Sequence, residues 1–263
     1  MFLVYLVTGL PRLCLGEAPQ ITSEDFIRRA RTHLNGAARA DFELVMLREE
    51  IRETARIGAL TTLTGTSLSP GELSYRIRCD RKPTPLGPTV DLLPSWVLAP
   101  SPIHVLMRTW CRVALQESTS PFLQEWSRCE IRLAEAITGL LCQQDNLGQE
   151  AFLHEMTGGW SSTWKVIVSN LGEADLGLKN RFAWYSDVRE ALALPDLRDM
   201  EIRIDRLRWK MIDEISGTDQ FSMDTVLGYF FKLEILEREA SWSLQKGQEI
   251  LDDILALTPG KLS

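Results

Sequence analysis

The sequence has few of the residues and motifs that mark catalytic or metal sites. Its three histidines, His33, His104 and His154, are far apart, and none is followed by a second ligand three or four positions later. Such isolated histidines argue against a zinc or di-metal site. The chain also has no GxxxxGK[ST], GxGxxG or GxSxG segment, so a phosphate-binding loop, a dinucleotide fold and a hydrolase elbow are not predicted. We expect no catalytic residue, no metal and no cofactor.

Cysteine is scarce and scattered. The five cysteines form an odd set without a CxxC pair, which argues against a disulfide framework and favours a reducing cytoplasm. Cys111 and Cys129 fall on apolar helical patterns and are predicted to lie in the core. The remaining three are Cys14, Cys79 and Cys142.

Runs of positive charge and long apolar runs are absent as well. Net charge is −7, and acids and bases are mixed along the helices, so no nucleic-acid groove and no polybasic membrane anchor is predicted. No stretch reaches the about 18 apolar residues that a membrane span needs. The apolar start is short and is interrupted by Pro11 and Arg12, which does not fit a signal peptide. We interpret Phe2 to Thr8 as a buried β-strand.

The rest of the sequence predicts a mainly α protein, a single helical bundle-like domain over residues 1–263 with this minor strand. Residues 1–60 would hold the strand and a helical hairpin. Residues 61–102 contain seven prolines, which block helix continuation, and are predicted to form a long loop with a short strand at Leu73–Arg78. Residues 103–258 would form the main helical body.

Apolar periodicity and capping residues predict the individual helices. The first would begin after Thr22 and run over Ser23–Leu34. The others are expected at Arg39–Leu60, Ile103–Gln116, Pro121–Cys142, Glu150–Met156, Ser161–Asn170 and Lys179–Leu192. On the Pro121–Cys142 helix, the predicted apolar stripe is Phe122, Trp126, Cys129, Leu133, Ile137 and Leu141.

The last quarter of the chain predicts two long helices joined by one turn. Asp196 would cap the first, which ends near Ile215, and Ser222 would cap the second. Residues 226–236 of the second helix are apolar except for Lys232 and Glu234, which indicates a central core helix.

A charge on such a helix needs a partner, because burying it alone is expensive. We expect Glu234 to pair with Arg238 at i,i+4 and Lys232 to meet Asp205 or Asp213. These contacts would form an intramolecular latch between the two helices. A polar contact with another protein is the functional alternative.

Tryptophan is the most notable aromatic residue, with eight copies. Trp126 and Trp209 fit apolar helical stripes and are predicted to lie in the core. Trp160 and Trp164 follow a Gly-Gly pair and have two interpretations. They are core residues or partner contacts, since tryptophan is enriched at interface hot spots.

Several segments together resemble a known family. They are YLVTGLP near the N-terminus, Thr22–Phe26, EWSRCEIRLAEAITGLL, RIDRLRWKMIDEI and SMDTVLGYFFKLEILERE. They resemble an uncharacterised bacterial family encoded beside the genes of V-type (V/A-type) ATPases. The segment Ile202–Arg238 is also similar to the C-terminal helix of the V-type ATPase C subunit, which is named d in eukaryotes.

This resemblance implies a fold like that of the C subunit and a non-catalytic role in ion transport. The chain would be a central-stalk component that couples the soluble rotor to the membrane proteolipid ring. Its partners would be the central shaft and the ring, and it would meet the inner membrane face only through them. Two other hypotheses stay open: a helical scaffold or assembly factor unrelated to torque, and an enzyme or small-molecule binder whose pocket the sequence does not reveal.

Overall fold

Helices form the regular structure of the computed structural model, which describes residues 2–49, 103–144 and 161–242. They are α1 (Phe2–Thr8), α2 (Ser23–His33), α3 (36–49), α4 (Ile103–Glu117), α5 (Pro121–Gln144), α6 (Ser162–Ser169), α7 (Tyr185–Leu192), α8 (Leu197–Ile215) and α9 (Met223–Ser241). These three ranges contain no strand, and the prediction of a mainly α helical domain is confirmed.

Some predictions concern residues outside the described ranges. They are the end of the second helix beyond residue 49, the loop 61–102 with its strand Leu73–Arg78, the helix Glu150–Met156, Trp160, Cys79, His154 and the residues after 242. The division of the chain at residues 60 and 102 therefore stays a prediction.

The predicted N-terminal strand is wrong, because Phe2–Thr8 is the helix α1. The hydroxyl of Thr8 donates to the carbonyl of Val4 at 2.8 Å within this helix, and Leu6 is buried against the core. A short apolar run does not distinguish a strand from a helix by its pattern. A strand also needs a neighbour for its backbone groups, whereas a helix satisfies them locally. No strand is present in the described residues to act as that neighbour.

Helix α2 is capped as predicted. The side chain of Thr22 accepts the backbone N–H of Asp25 at 3.1 Å. A carboxylate also reaches this end, since the backbone N–H of Ser23 donates to Glu237 of α9 at 2.7 Å. Both contacts satisfy N–H groups that have no partner inside the helix. The contact with Glu237 also fixes the start of α2 against α9.

Helix α5 lies at the centre of the molecule. At 24 residues it is about 36 Å long, and it packs against α4, α6, α7, α8 and α9. Phe122, Trp126 and Leu133 are buried as predicted, but Leu141 is exposed. The predicted single stripe is too narrow, because a helix surrounded by five others buries more than one face. Further buried residues are Leu123, Ile131, Ala136, Leu140 and Cys142.

The helix predicted at Lys179–Leu192 begins later, at Tyr185. Residues 171–180 form turns instead. The side chains of Leu176 and Leu178 are fully buried, and Leu176 has a positive φ of 52°. The turns and irregular backbone continue through residue 184, where the backbone N–H of Arg181 donates to the carbonyl of Leu178 at 2.9 Å, and the helix begins only at Tyr185. Helix α6 agrees with its prediction at Ser161–Asn170 to within one residue at each end.

Helices α8 and α9 form the predicted hairpin. Asp196 accepts the backbone N–H groups of Arg198 and Asp199 at 2.8 and 3.0 Å, and Ser222 accepts that of Thr225 at 3.1 Å. The prediction of a central core helix is confirmed for α9. Its buried residues are Val226, Leu227, Gly228, Phe230, Phe231, Leu233, Ile235 and Leu236.

Two groups of aromatic rings join α9 to its neighbours. Phe26 of α2 stacks on Tyr229 and Phe230, with ring centroids 5.4 Å apart in both pairs. On the opposite side, Phe231 lies 5.2 Å from Trp126 and 5.9 Å from Phe122 of α5. Helix α9 therefore packs between α2 and α5, and the charged side chains described next lie beside these rings.

Candidate functional site

Buried and partly buried ion pairs among α3, α5, α8 and α9 form the candidate functional site. At its centre is Asp205 of α8, whose side chain is fully buried. Arg208 donates to Asp205 Oδ1 at 3.0 Å, and Arg238 of α9 donates to Asp205 Oδ2 at 2.9 Å. A further N–H of Arg238 reaches Oδ1. Two guanidinium groups thus neutralise one buried carboxylate.

Arg208 extends this group to α5. Its Nε donates to Oε1 of Glu130 at 2.9 Å, while its Nη1 binds Asp205. Charge-assisted bonds of this kind are shorter and stronger than bonds between neutral groups. Arg208 therefore links the central helix α5 to the α8–α9 hairpin.

A second ion pair joins α3 to α9. Arg48 donates to Glu234 Oε2 at 2.7 Å and to Glu49 Oε1 at 2.8 Å. The guanidinium of Arg48 also lies over the ring of Phe231, 4.8 Å from its centroid, and 5.8 Å from that of Trp110. Cation–π contacts of this kind stabilise a desolvated positive charge. Arg48 is thus held by carboxylates and by aromatic faces.

The predicted pair of Glu234 with Arg238 is corrected by these contacts. Glu234 binds Arg48, which is 186 residues away in sequence, and Arg238 binds Asp205. Spacing along one helix shows only local neighbours, so the i,i+4 rule could not find these partners. One signal for Arg48 was present: it directly follows the apolar run Leu44–Leu47, which is buried.

Lys232 contacts α8 as predicted. Of the two acids considered, Asp205 and Asp213, it binds Asp213. Its ammonium group also lies 4.9 Å from the ring centroid of Trp209. The side chain of Asp213 is 58% exposed, whereas that of Lys232 is 18% exposed. This half of the predicted latch therefore lies at the surface, apart from the buried pairs.

Burial and ion pairing act in opposite directions on Arg48 and Arg208. Burial lowers the pKa of Arg48, but the carboxylates of Glu234 and Glu49 raise it more, and the net pKa is raised. Burial likewise lowers the pKa of Arg208, and Glu130 and Asp205 raise it above its ordinary value. Both guanidinium groups therefore stay charged at any physiological pH.

Glu239 lies near the same group on α9. Burial raises the pKa of Glu239, the charge of Asp205 raises it further, and Arg206 and Arg238 lower it. Its Oε1 is buried and has no hydrogen-bond partner within the described part of the chain. Glu239 is therefore an acid whose ionised form is less favoured in the folded protein than in the unfolded chain.

A small cavity, called the central cavity below, lies beside the ion pairs. Its volume of about 10 Å³ leaves no room for an organic cofactor. The lining residues are Arg48, Trp126, Arg208, Phe231, Glu234, Ile235 and Arg238. Within residues 2–49, 103–144 and 161–242, no group of three His, Cys, Asp or Glu side chains is placed to hold a metal ion.

The structure places the remaining candidate residues as follows. Trp209 is buried on α8. Trp164 is partly buried and packs against the core, which favours its core interpretation, and Trp160 lies outside the described residues. The structure also adds three residues that the sequence patterns did not indicate: Arg48, Glu130 and Arg208.

No described helix is both long and apolar enough to cross a membrane. A family model described as "Protein of unknown function (DUF2764)" matches residues 103–258 of the 263-residue chain. This range includes α4 to α9 and therefore most of the candidate site, but not Arg48. No curated protein and no solved structure matches the chain.

Proposed function

We propose that the chain is a non-catalytic component of V-type ATPases. The chain belongs to the family of proteins of unknown function DUF2764. It is a central-stalk component that couples the soluble rotor to the membrane proteolipid ring. It lies in the cytoplasm at the inner membrane face, held there by its protein partners. The starting point is the resemblance of residues 202–238, which correspond to most of α8 and α9, to the V-type ATPase C subunit.

The observation that carries this proposal is the way the α8–α9 hairpin is fixed to the rest of the molecule. Arg208 joins the hairpin to α5 through Glu130, and Glu234 joins it to α3 through Arg48. A coupling element must transmit force without changing shape. Buried charge pairs suit this task, because each pair is satisfied in one relative placement of the helices and leaving a charge unpaired is costly.

The same contacts favour a structural role over an enzymatic one. A catalytic acid or base must be within reach of a substrate. Asp205 is fully buried and bound by two arginines, and the adjacent central cavity is far smaller than the several hundred Å³ of an ordinary ligand pocket. These features support a non-catalytic function for this part of the chain.

A helical scaffold or assembly factor that transmits no torque is the alternative. Exposed apolar side chains at the two ends of α8 favour a protein partner in either case: Leu197 begins the helix and Phe221 follows it in the turn before α9. The two roles differ in their partners. A coupling element binds both the central shaft and the ring, whereas an assembly factor leaves the finished complex.

Size-exclusion chromatography tests the proposal. The purified chain is mixed with the central-shaft proteins and the detergent-solubilised proteolipid ring of the same organism. We expect all three to elute together in fixed stoichiometry. Elution of the chain apart from both partners would contradict the proposal, and binding only to incomplete complexes would favour the assembly factor.

A matched pair of variants makes this experiment specific. Because the hairpin carries the resemblance, Phe221→Ser in its turn is expected to weaken the complex at least about tenfold in Kd, the loss of one well-packed interface side chain. Leu15→Ser changes a side chain of similar exposure, 39% against 42% for Phe221, and is expected to leave the affinity unchanged. Equal effects would show that the hairpin turn is not the contact.

A further inference from the structure

The indole N–H of Trp126 is a buried donor beside the central cavity. Trp126 is 1% exposed, it lines the cavity, and its Nε1 has no hydrogen-bond partner within the described residues. Native proteins satisfy nearly all buried polar groups, either with another protein atom or with an ordered water molecule. Trp126 therefore differs from an ordinary core tryptophan.

Trp110 shows the ordinary arrangement in the same molecule. It is also 1% exposed, and its Nε1 donates to the backbone carbonyl of Leu44 at 2.7 Å. The aromatic neighbours of Trp126, Phe122 and Phe231, offer no hydrogen-bond acceptor of that kind. The central cavity, which Trp126 lines, is the nearby space that can hold an acceptor for this N–H.

The size and lining of the central cavity define this acceptor. A volume of about 10 Å³ is close to that occupied by a single water-sized probe, so one water molecule fits and a larger ligand does not. An internal water needs two to four polar partners. The cavity offers the indole N–H and the charged groups of Arg48, Arg208, Glu234 and Arg238.

We propose that the central cavity is a binding site for one water molecule, which accepts a hydrogen bond from Trp126 Nε1 and donates one to the carboxylate of Glu234. This water joins α5 to α9. It also connects the Arg48–Glu234 pair, through Trp126, to the helix that carries Glu130. The water site does not depend on the proposed ATPase role, since it rests only on the cavity and its lining.

Nuclear magnetic resonance tests the proposal on the purified full-length protein. Water-selective NOE and ROE spectra detect indole protons that lie next to a long-lived water. We expect a cross-peak of NOE type between water and the indole proton of Trp126, and none at Trp110. A missing cross-peak at Trp126, or equal cross-peaks at both residues, would overturn the proposal.

Two further measurements complete the test. The neighbouring hydroxyl of Ser127 is buried and could relay exchange, so the cross-peak must persist in Ser127→Ala; its loss there would contradict a bound water. The Trp126 signal is identified by its absence in Trp126→Phe, or by sequential assignment if that variant does not fold. A crystal structure must also show a water about 2.7–3.2 Å from Trp126 Nε1, and a dry cavity would overturn the proposal.

Discussion

Asp205 is fully buried, and its carboxylate binds one arginine from its own helix and one from α9. Glu234 is nearly as buried and binds Arg48 of α3. Lys232, only two residues away on α9, binds an exposed acid instead. At the scale of single residues, therefore, Glu234 and Lys232 both interrupt the apolar sequence of α9 but differ in burial and in partner. We expect this difference to decide how much each charge contributes to the free energy of unfolding.

Removing the carboxylate of a buried pair takes away the ion-pair partner that stabilises its arginine between the helices. We expect Asp205→Ala and Glu234→Ala each to lower the free energy of unfolding by about 3 kcal/mol. Lys232→Ala breaks the surface pair with Asp213 and should cost about 1 kcal/mol or less. Urea titrations of the purified variants measure these differences. Equal losses for Glu234→Ala and Lys232→Ala would contradict the distinction between buried and surface pairs.

Glu239 gives a pH dependence of known sign. Because burial raises its pKa in the folded protein, the folded state binds this proton more tightly than the unfolded state does. The free energy of unfolding therefore falls as the pH rises from the ordinary pKa of glutamate through the raised one. Glu239→Gln removes this loss, so the variant should have the higher melting temperature at pH 7.

The gain from Glu239→Gln should shrink as the pH is lowered. Below the ordinary pKa, glutamate carries its proton in both the folded and unfolded states, and the substitution then changes no charge. Melting temperatures of both proteins, measured between about pH 4 and pH 8 to span the titration of a raised glutamate, check the trend. A gain that does not depend on pH, or a loss at pH 7, would show that Glu239 is not destabilised by its burial.

At the scale of elements, the close packing of α8 on α9 depends on Gly228. A Cβ at this position would come within 3.3 Å of Ile212 Cγ2 and closer still to the hydroxyl of Ser216. That hydroxyl is itself fixed, because it donates to the backbone carbonyl of Ile212 at 2.6 Å. Glycine in a helix is normally unfavourable, so its presence here reflects the close approach of the two helices.

Gly228→Ala is therefore expected to destabilise the protein by about 1–3 kcal/mol, the usual cost of overpacking, although the same change stabilises an ordinary helix by about 1 kcal/mol. Thermal unfolding of the purified variant measures the effect. Ser216→Ala removes the obstructing hydroxyl, and the double variant should recover part of the loss. Higher stability in Gly228→Ala alone would contradict a close contact between α8 and α9.

At the scale of the whole molecule, local signals predicted the elements better than their contacts. The caps Thr22, Asp196 and Ser222 lie where the sequence placed them, because a cap is formed by neighbours in the chain. The run Phe2–Thr8 was mistaken for a strand, because its apolar pattern fits either structure. The partner of Glu234 could not be predicted, since Arg48 is brought to it only by the packing of α3 on the hairpin.

Buried charges hold the α8–α9 hairpin to a helical body, and we propose that this body couples the central shaft to the proteolipid ring. Native mass spectrometry of the co-eluted fraction tests this role most directly, because it counts the copies of every protein that is present. We expect one copy of the chain bound together with the shaft and the ring. A V-type ATPase that assembles with shaft and ring but contains no copy of the chain would contradict the proposal.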